Sequence, residues 1–178
     1  MRKLAVEELG RIEPEEYKKA NKIPVVVVVD RVRSLLNVGS IFRTSDAFRI
    51  EKIYLCGITA RPPHREINKT ALGATESVDW AYHEQTEDVL LRLKSDGYTI
   101  VAVEQTEGSE TPSAISNWGK GPFAVVLGHE VDGVSEEAIA LCYHAIEIPQ
   151  MGTKHSLNVS VAAGIILWEF FQHFMPSE

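Results

Sequence analysis

Ile23-Pro24-Val25-Val26-Val27-Val28-Val29-Asp30 holds five consecutive valines closed by one aspartate. Branching at Cβ restricts χ1 and favours extended backbone, where such side chains pack well on a pleated surface. A strand with one wet face alternates apolar and polar residues, so an unbroken run means that both faces are covered. The reading is a central strand of a parallel sheet with helices on either side.

The chain to either side agrees. Asn37 is expected to cap a helix whose buried stripe is Val38, Ile41, Phe42, Ser45 and Phe48. Further strands are expected at 53–56, about 78–82, 98–103, 123–127 and 145–148. Helices are expected at about 69–72, at 86–95 with Gly97 ending it, and at 135–142. Residues 59–69, with Pro62-Pro63 and three basic side chains, read as a loop. Residues 4–20 read as a polar helix that Pro14 breaks or restarts. Strands alternating with helices give an α/β class, a mostly parallel sheet with flanking helices. The stretch 156–174 is expected to be helical and apolar nearly all round. Val161, Ile165, Ile166, Leu167, Trp168, Phe170 and Phe171 cannot share one stripe, so cover is needed from the sheet and from a second subunit.

With 178 residues, 44% apolar and 24% charged, the chain suits one soluble domain, 1–178, with residues 1–22 as a short N-terminal helical extension. No stretch approaches the roughly 20 apolar residues of a membrane span, and the charged start is unlike a signal peptide, so a cytoplasmic protein is expected. Cys56 and Cys142 sit in apolar runs and point to neither a disulfide framework nor a metal site. The net charge of −7 argues against a nucleic-acid partner when taken alone. Its distribution does not, because residues 1–70 carry 14 Lys/Arg against 9 Asp/Glu and the remainder 4 against 16. Arg31, Arg33, Arg43, Arg49, Lys52, Arg61, Arg65 and Lys69 form either a solvated face or a local phosphate-binding surface.

Three segments carry the chemistry. In open parallel sheets ligands sit at the carboxyl ends of strands, and each segment follows an apolar strand with glycine and polar residues. The first is Asn37-Val38-Gly39-Ser40-Ile41-Phe42-Arg43, in which Arg43 is either a solvated helix residue or a fork of donors for anionic oxygens. The second is Val125-Val126-Leu127-Gly128-His129-Glu130-Val131-Asp132-Gly133-Val134, either a tight turn before a helix or a close backbone approach to a ligand. The third is Ile148-Pro149-Gln150-Met151-Gly152-Thr153-Lys154-His155-Ser156-Leu157-Asn158-Val159-Ser160. Ser156 and Asn158 suit helix caps, yet a polar loop between a buried strand and a buried helix leaves many backbone groups in need of partners. His155 reads as loop surface.

These segments, in this order, resemble the three motifs of SpoU/TrmH-type RNA 2′-O-methyltransferases of the SPOUT superfamily, over a span from Val25 to Phe174. Lys69-Thr70-Ala71-Leu72-Gly73-Ala74 is also similar to that group. The resemblance implies a C-terminal trefoil knot (the α/β-knot), a homodimer, and methyl donation from S-adenosylmethionine bound in a knotted region at about 120–174. It implies that Leu127, Gly128, Ile148, Ser156 and Leu157 line the cofactor pocket, joined by Glu104. It puts Asn37, Arg43, Glu130, Ser156 and Asn158 at catalytic and substrate-positioning places. RNA (tRNA or rRNA) is the implied partner, met by Arg31, Arg33, Arg43, Arg61, Arg65 and Lys69, and no metal is implied. Gln150 and His129 depart from the family's usual residues, which bears on specificity more than activity. The stretch before Val25 is short for the separate RNA-binding domain of many relatives, so recognition is expected from the extension, the basic loops and the partner subunit.

A ribose hydroxyl is a poor nucleophile, so it must be aligned with the methyl group and relieved of its proton. In the family Arg43 takes a direct role, sometimes as the base. Guanidinium is effectively never deprotonated, so Arg43 is read instead as the electrostatic partner of the 2′-oxygen and a phosphate. The identity of the base is left open, with Glu130 and a substrate phosphate as candidates. A non-catalytic RNA-binding or ribosome-assembly protein of the same fold is the alternative, and it would be expected to lack Arg43, Glu130 or Asn158. An oxidoreductase or hydrolase would need a glycine fingerprint or Ser-His-Asp spacing that the chain does not contain.

Overall fold

The computed structural model describes residues 1–175. Its centre is a six-stranded parallel sheet formed by β1 (Ile23–Asp30), β2 (Ile50–Cys56), β3 (Trp80–His83), β4 (Thr99–Val103), β5 (Phe123–Leu127) and β6 (His144–Ile146). The order across the sheet is β3-β2-β1-β5-β4-β6, so the valine strand lies inside, between β2 and β5. Its valines divide by parity as a pleated strand requires. Val25, Val27 and Val29 join the larger core cluster, and Val26 and Val28 join the smaller one on the opposite face.

Helices α1 (Pro14–Lys19), α2 (Leu35–Ala47), α3 (Arg65–Ala71), α4 (Ala74–Ser77), α5 (Thr86–Ser95), α6 (Glu136–Ile139) and α7 (Val159–Phe174) complete the chain. The larger cluster takes in buried side chains of α1, α2, α3, α4 and α7, and the smaller takes in those of α5 and α6. Gly39 lets α2 and α3 meet, because a Cβ there would collide with the Thr70 hydroxyl and the Ile67 carbonyl.

Several sequence expectations shift. The helix at 4–20 is two pieces, a 3-10 turn at Val6–Leu9 and α1, separated by Gly10 in a left-handed conformation (φ 58°). The loop at 59–69 gives way to helix at Arg65, and α4 and the 3-10 turn at Pro112–Asn117 were not expected. β2 begins three residues early, and α6 stops at Ile139 rather than continuing through Cys142. Asn37 is not the cap of α2. Ser34 is, accepting the Asn37 N–H at 3.3 Å, which leaves the Asn37 side chain to work elsewhere. The last helix starts at Val159 with Asn158 as its cap, so Ser156 and Leu157 belong to the preceding loop. Nor is that helix wrapped all round by its own chain. Ala163, Ile166, Leu167 and Phe170 are buried, whereas Val161, Ile165 and Trp168 stay 51%, 36% and 43% exposed.

Candidate active site

At the carboxyl edge of the sheet lies a cavity of about 480 Å³, bounded by the ends of β4, β5 and β6 and the segments that follow them. Parallel pairing of β4 with β5 and β6 puts these strand ends side by side, where open sheets bind ligands. All six residues assigned to the cofactor pocket line it: Glu104, Leu127, Gly128, Ile148, Ser156 and Leu157. The turn after β5 is closed by two backbone bonds between His129 and Gly133, at 2.9 and 3.0 Å. Gly128 is obligatory there, since a Cβ would run into the backbone of Gly133 and Val134. Glu104 shapes the same turn through Oε2, which accepts the Val134 N–H at 2.9 Å.

Glu130 leaves this turn towards the start of α2. Its Oε2 accepts the Arg33 N–H at 3.1 Å, and its Oε1 accepts the Ser34 N–H at 2.9 Å and the Asn37 amide at 3.0 Å. Asn37 Oδ1 in turn accepts the Asn158 amide at 3.1 Å, and Asn158 Oδ1 accepts the Ser160 N–H at 2.9 Å. One polar chain thus joins all three segments. Burial alone would raise the Glu130 pKa, but the donors of Arg33, Ser34 and Asn37 outweigh it and hold the carboxyl below its ordinary value. A carboxylate so engaged is a poor proton acceptor, so the geometry makes Glu130 a clamp and argues against its use as a base.

Arg43 stands apart. It lies six residues beyond Asn37, about 9 Å along the helix axis and about 120° around it. It is exposed, on the face it shares with Leu36 and Ala47, and does not line the cavity. Ser156 lines the cavity but does not join the Glu130–Asn37–Asn158 chain.

The basic residues follow the ends of β1 and β2, on the same edge of the sheet. Arg31, in a left-handed conformation, brings Nε within 3.5 Å of buried Asp30, and Lys69 bridges Glu66 at 2.7 Å. The Arg61 guanidinium covers the Tyr82 ring at 4.3 Å, while Arg33 and Arg65 are exposed. The exposed Lys69–Glu66 pair contributes little to stability. Burial pushes the Cys56 and Cys142 thiols up to about 12, leaving neither as a nucleophile near neutral pH.

Two contributors escaped the sequence reading. Asp30, the residue that ends the valine strand, is buried and accepts from the Thr86 hydroxyl at 2.6 Å and from the Ser135 N–H and hydroxyl at 2.9 and 2.8 Å. A charge at the end of an apolar strand was the available signal. Gln105 reaches from the end of β4 to the carbonyl of His155, a pairing that no local pattern announces.

The model of the SpoU rRNA methylase family matches residues 24–168. A tRNA (guanosine(18)-2'-O)-methyltransferase of Thermus thermophilus is 34% identical over 155 residues, 87% of this chain and 78% of its own. The 23S rRNA (guanosine-2'-O-)-methyltransferase RlmB of Vibrio parahaemolyticus is 30% identical, over 91% of this chain and 64% of its own. An AdoMet-bound rRNA methyltransferase from Sinorhizobium meliloti superposes with a TM-score of 0.79 at 30% identity, over 88% of this chain and 60% of that one. This chain therefore spans less than two thirds of the latter two. The family match runs from the start of β1 into the middle of α7 and takes in every strand and all three polar segments, so this chain belongs to the SpoU rRNA methylase family.

Proposed function

We propose that this chain transfers a methyl group from S-adenosylmethionine to a ribose 2′-hydroxyl of RNA, either a tRNA or an rRNA. The observation that carries the proposal is the convergence of Asn37, Glu130 and Asn158 beside a cavity built by the second and third polar segments.

The cavity suits the cofactor in shape and chemistry. Leu127, Ile148 and Leu157 offer apolar surface for an adenine ring, and Gly128 lines the same cavity. Glu104 keeps acceptor capacity on both carboxylate oxygens for ribose hydroxyls. Among the described residues, no backbone N–H of residues 148–157 donates within the chain, so that loop has donors to give to a ligand. Bound there, S-adenosylmethionine supplies a methyl group activated by its sulfonium.

The protein's own part is alignment and charge. Glu130 holds the first turn of α2 through Arg33, Ser34 and Asn37, and Asn37 fixes Asn158 at the start of α7. Arg43 faces the incoming RNA, stabilising the 2′-oxygen as its proton leaves and gripping the adjacent phosphate. Glu130 and a phosphate of the RNA stand as the two candidate acceptors of that proton, and the clamp bonds to Arg33, Ser34 and Asn37 already occupy the carboxylate of the first. Arg31, Arg33, Arg61, Arg65 and Lys69 hold the backbone without reading its sequence.

The working unit is a homodimer, one 1–178 domain per subunit, acting in the cytoplasm on RNA. Its support is the exposed side of α7, where Val161, Ile165 and Trp168 recur at helical spacing as apolar side chains that water should not be left to cover. A C-terminal trefoil knot belongs to the same proposal. β6 lies at the sheet edge beyond β4, while α7 packs on α2 and β1 near the centre. The return must pass the 128–135 segment, and we propose that it threads rather than skirts it. Labelled methyl transfer to total tRNA and rRNA, followed by mapping of the modified ribose, tests the function. Label that appears on a base, or on no RNA from the source cell, overturns it.

A further inference from the structure

Gln105 and His155 both line the cavity, and the Gln105 Nε2–H donates to the carbonyl of His155 at 3.1 Å, linking the end of β4 to the loop after β6. That loop is fixed at both ends. The Glu147 N–H donates to Glu110 O at 2.9 Å, and Asn158 is bonded to Asn37. Between them it is bare, with Met151 to Leu157 exposed and, among the described residues, no backbone N–H of 148–157 given to the chain. The Gln105 amide is the one bond that meets a carbonyl of this stretch among the described residues.

The donor is itself held in place. Glu104 Oε1 accepts the Gln105 N–H at 2.9 Å, and Glu104 Oε2 accepts the Val134 N–H from the second segment. Two consecutive residues at one strand end therefore brace both walls, Glu104 the turn after β5 and Gln105 the loop after β6. Gln105 is exposed, so its bond gains nothing from burial and acts by restricting where the loop sits.

We infer that Gln105 is a positioning residue that latches the 148–157 loop across the cavity and so sets how tightly the cofactor is held. This rests on the cofactor reading of the cavity. Because the amide must donate, Gln105→Glu keeps the size and loses the bond, setting a carboxylate against a carbonyl. Gln105→Ala removes the contact outright.

Lys154 lies in the same loop beside His155 and is exposed, which makes it a trypsin site that reports on the latch without any activity assay. Limited proteolysis, read by the mass of the fragment beginning at His155, should show both variants cut there roughly three- to tenfold faster than the wild type, the range one hydrogen bond supports. Cleavage elsewhere and the melting temperature should not change, whereas a general loss of structure would move both. Calorimetry with S-adenosylhomocysteine should show affinity falling by a similar factor. In turnover the loss should appear in KM for the cofactor, with kcat at saturation altered by less than about twofold. Unchanged cleavage at Lys154 overturns the latch. Faster cleavage with unchanged S-adenosylhomocysteine affinity overturns its link to the cofactor. A wild-type chain that does not bind S-adenosylhomocysteine overturns the functional reading, while the cleavage rates still decide whether Gln105 holds the loop.

Discussion

The Glu130 carboxylate and the Asn37 amide meet at 3.0 Å although 93 residues of chain separate them. The bond closes the turn after β5 onto the first turn of α2, and the Arg33 and Ser34 N–H groups converge on the same carboxylate. Three donors on one anion make a strong junction, because hydrogen bonds to a charged acceptor exceed neutral ones. Nothing in this arrangement needs Glu130 to move a proton. Its chemistry is to keep two loops and a helix start in register.

Glu130→Gln tests that role, since it keeps the size but turns an NH2 group towards the donors. It should lower stability at neutral pH by about 1–3 kcal/mol, the usual result of leaving N–H groups short of an acceptor. The folded carboxyl sits below its ordinary value of 4.5, so its contribution is fully present above that value and is lost as the pH falls through the lower folded value. Urea denaturation of both chains should therefore show a gap that is flat near neutrality and narrows below about pH 4.5. A gap that widens on acidification would mean the carboxyl pKa is raised in the fold.

Much of this junction was legible as parts and not as a joint. The valine run announced a doubly covered strand, and Asn37, Glu130 and Asn158 were each singled out by residue type and motif. Their convergence was not, because hydrogen bonds across 93 and 121 residues leave no local period to read. The cap of α2 was misplaced for a similar reason. Ser34 and Asn37 both suit an N-cap, and only the bond from Asn37 to Glu130 shows which of them is free. The exposed side of α7 was hidden because composition cannot say which apolar residues lack cover within one chain. Gln105 was missed because a glutamine at a strand end carries no pattern of its own.

The apolar stripe on α7 gives a second prediction. Val161 and Ile165 are about one helical turn apart on the exposed face of α7. Val161→Glu with Ile165→Glu should leave the monomer fold intact and shift the protein from dimer to monomer at micromolar concentration, as read by light scattering. A double variant that stays dimeric places the interface elsewhere, and a wild-type monomer removes it.

Charge reversal at Arg61 and Arg65 addresses the RNA face. Both lie after β2, away from the cavity, so cofactor affinity should be untouched while RNA affinity falls. Each lost phosphate contact should reduce the slope of log affinity against log salt by about one. Titrations at several salt concentrations measure this. A slope and affinity identical to the wild type mean that RNA passes over another surface.

Arg43 and Asn158 separate chemistry from binding. Arg43 is exposed on α2 and outside the cavity, so Arg43→Ala should leave S-adenosylmethionine affinity within a few fold. Methyl transfer should nevertheless drop by at least about two orders of magnitude, the typical cost of removing one preorganised donor from a developing oxyanion. Asn158 differs because it caps α7, bonds Asn37 and lines the cavity. Asn158→Ala should therefore weaken cofactor binding and turnover together and lower stability by about 1 kcal/mol through the lost cap. Calorimetry for the cofactor, tritium transfer for the chemistry and thermal melting for the fold read the three effects independently. Near wild-type turnover by Arg43→Ala on a verified RNA would show that the 2′-oxygen is stabilised by another group. The cavity and its clamp would keep their meaning, because neither passes through Arg43.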